Sequence, residues 1–206
     1  MNRPGNDELN SKNRSAFHWS VMENGALWIL SEISRMQPKL ANTMSKACAI
    51  GSSTGTEIGQ SHNVFNTPRF VKFREMEYCV AREEMATVLN DIRYVIEKKK
   101  IPVHFPVECR YVKRDDIWLS PSYKRDSAYI AIHMYKGMPF QEYFDAIEEV
   151  FAYYDGRPHW GKMHSLSKEK LATLYPRWTD FLHIRRELDP NGLLLNPYLR
   201  GLFGIE

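Results

Sequence analysis

Apolar residues along this chain recur at two spacings, the three-to-four step of a helix and the two-step of a strand. Leu27, Leu30 and Ile33 follow the first and predict a helix over 21–37, closed by Pro38. Pro38 suits the first turn of a second helix running to about residue 49. GSSTGTEIGQSHN, 51–63, reads as a connector: a phosphate cradle would need a strand before it and a helix after it, and the order here is the reverse. Residues 69–80 are rich in β-formers and predict a strand. Over 83–98 the spacing turns helical, with Met85, Val88, Leu89, Ile92, Val95 and Ile96 on one stripe and Lys98–Lys100 at the C-terminal end, where cations meet the helix dipole.

Residues 101–112 alternate again. Val103, Phe105, Val107, Cys109 and Tyr111 share one face of a predicted strand, and His104, Pro106, Glu108 and Arg110 the other. Pro106 removes a ladder donor, which points to an edge strand or a bulge. A loop over 113–126 leads to a strand at 128–135, and Pro139 can open a helix whose stripe runs from Phe140 to Tyr154. GRPHWGKMH, 156–164, forms a turn or short strand; helices follow from Ser167 as N-cap and over 177–188, and Asp189–Gly192 makes a turn. The tail LLLNPYLRGLFGIE is apolar, with little room for a helix of its own, and is expected to dock against something. Strands that are apolar on one face only, mixed with helices and without a βαβα repeat, give an α+β class: a mainly antiparallel sheet covered on one face by helices.

Composition narrows the function. With 43% hydrophobic and 26% charged residues in 206, most of the chain is globular; only the polar residues 1–15 read as a loose arm. A net charge of +3 from 28 basic and 25 acidic residues is too balanced for nucleic acid as the main partner. No apolar run reaches the length of a membrane span, and the N-terminus shows no signal core. Three cysteines at unpatterned spacing fit a reducing, cytoplasmic setting, with peripheral membrane contact still compatible.

Two constellations carry chemistry. Glu108 and Arg110, two apart on a strand, share a face and form either a wet surface ion pair or a clamp for a hydroxylated ligand. His133 shares a face with Tyr135 on the next strand, as a structural or a site histidine. In GRPHWGKMH the histidines stand five apart, unlike a helical zinc pair, so His159, Trp160 and Lys162 suggest a site without metal. No local pattern supports Cys109, His133 and His159 as a nucleophile system.

HWGK, preceded by RP and followed by a second histidine, resembles the C-terminal region of the FAD-linked sugar-lactone oxidase and alditol oxidase family, flavoenzymes of the vanillyl-alcohol-oxidase type. FREMEY at 73–78, FPVECR at 105–110, SPSYKRDSAYIAIHMY at 120–135 and the segment 174–204 are similar to further stretches of that family, in order over roughly 17–204. The resemblance implies oxidation of a sugar 1,4-lactone, of the D-arabinono- or L-gulono- type, or of a polyol, with FAD as cofactor. It assigns Glu108 and Arg110 to the E-x-R pair as catalytic and substrate-binding residues. It assigns Lys162 to catalysis and to substrate and cofactor binding, His133 to substrate binding and His159 to cofactor binding. The family's FAD-binding domain precedes the matched region and has no counterpart before Met1. The expectation is therefore a cap (substrate) domain over 16–206 whose C-terminal segment docks on a separate FAD-binding polypeptide, or self-associates. An inactive remnant and a non-catalytic interaction module are the rival readings. Lys162 is expected to be a cleft lysine whose loss barely touches folding.

Overall fold

The computed structural model describes residues 24–51 and 70–205, so the expected arm at 1–15 and most of the connector at 51–63 lie outside the described residues. The elements in chain order are helices α1 (Asn24–Met36) and α2 (Ala41–Gly51), strand β1 (Phe73–Ala81), helix α3 (Met85–Lys99), strands β2 (Glu108–Val112) and β3 (Ser127–Tyr135), helix α4 (Gln141–Tyr153), strand β4 (Arg157–Pro158), and helices α5 (Lys168–Leu174), α6 (Trp178–Leu188) and α7 (Pro197–Phe203). The class is α+β, with the strands in one antiparallel sheet of order β2-β3-β1-β4. The described residues divide into two units, one of those up to 74 with 102–106 and 134–138, the other of the remainder.

In the first unit α1 turns serines inward. Ser31 and Ser34 are buried, and each hydroxyl donates to the carbonyl four residues back, at 2.7 and 2.8 Å. His104 is fully buried here, its Nε2 3.0 Å from Ser31 Oγ, and burial pushes its imidazole down to about 4. This corrects the alternation read over 101–112, which set His104 on the polar face beside Glu108. The strand begins only at Glu108 and 101–107 carry no strand, because Pro102 and Pro106 cannot donate to a ladder.

In the second unit period two sorts the sheet into unlike faces. Met76, Tyr78 and Val80 of β1 alternate with Glu75, Glu77 and Cys79. Tyr78 stacks on Phe151 of α4 with ring centroids 4.8 Å apart, which fixes the helix-covered face. Glu148 of α4, also buried, accepts from Tyr78 Oη at 2.5 Å and from the Ser165 backbone N–H at 2.8 Å. Burial and then the Glu148 carboxylate push the Tyr78 phenol far up, so it remains a donor.

β3 departs from the one-sided pattern the sequence suggests: all nine of its residues are buried, although the sheet is antiparallel. On its second face His133 Nε2 lies 3.4 Å from Glu75 Oε1 and the Tyr129 ring centroid 5.5 Å from the Arg110 guanidinium. The tail also departs from expectation, since α7 is helical. Asn196 caps it by accepting from Leu199 N–H at 2.8 Å, Pro197 occupies its first turn, and Gly204 closes it at φ 62°. Helices α5 to α7 gather Leu171, Leu174, Tyr175, Trp178, Leu202 and Phe203 into a core of their own.

Candidate functional site

The polar face of the sheet is assembled by register. β2 pairs with β3 so that Glu108 lies opposite Ala131 and Arg110 opposite Tyr129, which puts both charged side chains on the face that also carries His133. Glu75 and Glu77 project from β1 onto that face. The Arg110 guanidinium donates through Nη2 to Glu77 Oε1, stands 3.9 Å through Nη1 from Glu108 Oε1, and lies 5.5 Å from the Tyr129 ring centroid. Arg110 and Glu108 are about half exposed, whereas Glu77 is 1% exposed, so the guanidinium is held from beneath and open above.

Lys162 reaches the same face from the GRPHWGKMH segment. β4 pairs Pro158 with Tyr78 and Arg157 with Cys79, and the turn beyond is hung on β1 by two backbone bonds, His159 N–H to Glu77 O at 2.9 Å and Met163 N–H to Glu75 O at 3.0 Å. Arg157 fixes the segment by donating to the carbonyls of Leu174, Pro121 and Tyr123. His159 Nδ1 accepts from Gly161 N–H at 3.0 Å and so folds the turn onto itself. A Cβ on Gly161 would come within 3.3 Å of that ring, which is the close approach the glycine permits.

The ammonium of Lys162 is paired with Glu75 Oε2, and Glu75 Oε1 lies 3.4 Å from His133 Nε2. Lys162 is therefore not the free cleft lysine the sequence suggested, because its partner is only 15% exposed. Burial pushes the Glu75 carboxyl up, but hydrogen bonds and charge from His133 and Lys162 outweigh it and hold the group at about 2.

Four of the residues singled out in the sequence thus meet on one face. Glu108 and Arg110 form one pair, Lys162 and His133 share Glu75, and His159 supports the Lys162 turn through its backbone and ring. Trp160 turns away: its Nε1 donates to Leu119 O at 2.8 Å and its ring packs on Tyr175 and Trp178. Cys109 is no activated nucleophile, since partial desolvation and then the Glu108 charge push its thiol up. Glu75 and Glu77 were missed. The signal was present in the alternation Glu75-Met76-Glu77-Tyr78, yet acidic residues on a strand look the same whether they face water or a cation.

The model of one protein family, described as D-arabinono-1,4-lactone oxidase, matches residues 1–202. The chain is 38% identical over 182 residues to an L-gulono-1,4-lactone dehydrogenase of Mycobacterium tuberculosis, covering 88% of this chain and 42% of that protein. It is 36% identical over 148 residues to the L-gulonolactone oxidase of Mus musculus, with 69% and 34% covered. Against an alditol oxidase of a Streptomyces species the identity is 34% over 131 residues, with 62% and 31% covered. The chain spans about two fifths or less of the length of these curated relatives.

Proposed function

We propose, for a chain that belongs to the D-arabinono-1,4-lactone oxidase family, that it is the substrate-binding part of an FAD-dependent oxidoreductase acting on a sugar 1,4-lactone of the D-arabinono- or L-gulono- type, or on a polyol. The observation that carries this reading is the half-open face on which Glu108, Arg110 and Lys162 come together. Charge-assisted hydrogen bonds of this kind orient a hydroxylated ring or chain without needing a charge on it. Arg110 would donate to ring or carbinol oxygens, Glu108 would accept from the hydroxyl on the carbon to be oxidised, and His133 would bound the face beside Lys162.

The residues present fit one side of a flavin. Lys162 and Arg110, each held by a carboxylate beneath, would offer their remaining N–H donors to oxygen and nitrogen atoms on which negative charge develops as substrate is oxidised, and the tight turn of His159 and Gly161 allows close approach of backbone to a flat ring. FAD, when bound, supplies the redox chemistry by accepting hydride at N5. Most of its contacts would come from a region of the relatives outside the matched segment, on a separate or joined FAD-binding polypeptide. Exposed Leu188, Leu193 and Leu194, at 82–84%, are apolar surface of the kind such an interface covers. Among the described residues no helix is long and apolar enough to cross a membrane.

Combining the chain with the FAD-binding part of a relative should restore flavin bleaching by L-gulono-1,4-lactone or a polyol. Lys162→Met should then lower kcat by about 10²–10³. Full turnover in Lys162→Met would remove this residue from the site. A folded, flavin-loaded complex that no lactone or polyol bleaches would overturn the reading.

A further inference from the structure

We propose that Glu75 and Glu77 set the charge selectivity of this face, neutralising Lys162 and Arg110 from beneath so that uncharged hydroxylated ligands are accepted and carboxylates are turned away. The inference rests on the reading above that the face binds substrate, but it concerns β1, which the sequence treated only as scaffold.

The geometry makes each cation's inner partner a permanent one. Glu75 uses both oxygens, one for Lys162 and one toward His133. Glu77 is 1% exposed and gives Oε1 to Arg110, while its Oε2 has no hydrogen-bond partner among the described residues. A buried carboxylate with one bare oxygen is costly unless its ion pair is kept, which commits the Arg110 charge inward. Glu108 stands on the other side of the same guanidinium. Each cationic group of the face, Lys162 and His133 at Glu75 and Arg110 between Glu77 and Glu108, is therefore already held by a carboxylate.

An incoming carboxylate would have to displace partners shielded from water and would stand against the carboxylates that already hold those cations. A hydroxyl meets no such barrier, since it can accept from a free guanidinium N–H and donate to Glu108 with every ion pair intact. The two glutamates act as the repulsive element that discrimination between similar ligands requires.

L-gulono-1,4-lactone and its hydrolysis product L-gulonate differ by one charge on nearly the same skeleton, so they make a matched pair of probes. Titrating each into the full chain by calorimetry or amide NMR should show gulonate binding at least about tenfold more weakly than the lactone. In Glu75→Gln, gulonate affinity should rise about tenfold or more, because Lys162 is unmasked. Glu77→Gln should do the same through Arg110, and Glu75→Asp, which keeps the charge, should not.

A merely structural role predicts lower melting temperature with no gain of anion binding, and folded Gln variants with unchanged gulonate affinity would overturn the proposal. If Glu77→Gln does not fold, Glu75→Gln decides. If neither folds, the parent decides, since equal affinity for lactone and gulonate overturns the proposal and tenfold discrimination supports it. The two failures are told apart: lactone binding without the gain in Glu75→Gln sinks the selectivity alone, whereas no lactone binding in the parent sinks the site reading and the selectivity with it.

Discussion

Lys162→Met should destabilise the chain, and by an amount that depends on pH. The substitution keeps most of the side-chain stem and removes the charge, leaving the Glu75 carboxylate with His133 as its remaining neighbour. An exposed ion pair is worth about 0–1 kcal/mol and breaking a buried one costs about 3–5. This pair lies between them, with Lys162 29% and Glu75 15% exposed, so a loss of about 2 kcal/mol follows. For a chain of 206 residues that is a drop in Tm of about 4–8 °C at neutral pH. The Glu75 carboxyl lies at about 2 when folded, against an ordinary 4.5. A depressed carboxylate contributes stability that is complete above its unfolded value and is lost as pH falls toward the folded one. The gap between parent and variant should therefore be widest above pH 4.5 and close as pH approaches about 2. Calorimetric melts of the two chains from neutral pH to about pH 3 test this, with the lower limit set by acid unfolding common to both. A gap that is absent at neutral pH, or that stays constant on acidification, would refute the electrostatic account of Lys162.

Glu148→Ala removes the acceptor shared by Tyr78 Oη and Ser165, and should lower stability by about 3 kcal/mol, read as a fall in urea midpoint without change in slope. A change under about 1 kcal/mol would show that water or a neighbour takes over the orphaned donors. Replacing Leu193 and Leu194 together by Ser should reduce self-association and dye binding by the lone chain, seen in sedimentation and fluorescence, because both side chains stand more than four-fifths exposed. A parent chain that is already monomeric and binds no dye would rule out that patch as a docking surface.

The legible part of the molecule was the part written in period two. β3 alternates clearly enough to be bounded within a residue, and the same arithmetic puts Glu108 and Arg110 on one face from their spacing alone. Lys162 was found through a motif, but its ion pair was not, because Glu75 lies far away in sequence and nothing local distinguishes a carboxylate that meets water from one that meets an ammonium. His104 was misplaced by trusting alternation through two prolines. The α7 helix announced itself only in its ends, Asn196-Pro197 and Gly204; at seven residues it is too short for a stripe to register. Within the motif, Trp160 and Lys162 are two apart yet serve different neighbours, one the C-terminal helices and the other the sheet, a division that spacing alone does not reveal.

The face is a matter of parity. Odd positions of β1, even positions of β2 and odd positions of β3 share that face, and Tyr78 from the opposite positions of β1 meets Phe151 of α4. Lengthening the 113–126 loop leaves that arithmetic untouched. One residue inserted at the middle of β1 inverts it downstream, turning a carboxylate toward Phe151 and an aromatic ring toward the cations. Two residues restore the face but move the carboxylates about 7 Å along the strand, out of reach of their partners. Along its lineage this strand should tolerate exchange of side chains far better than any change in length, and alignment gaps among relatives should fall in the loops on either side of it.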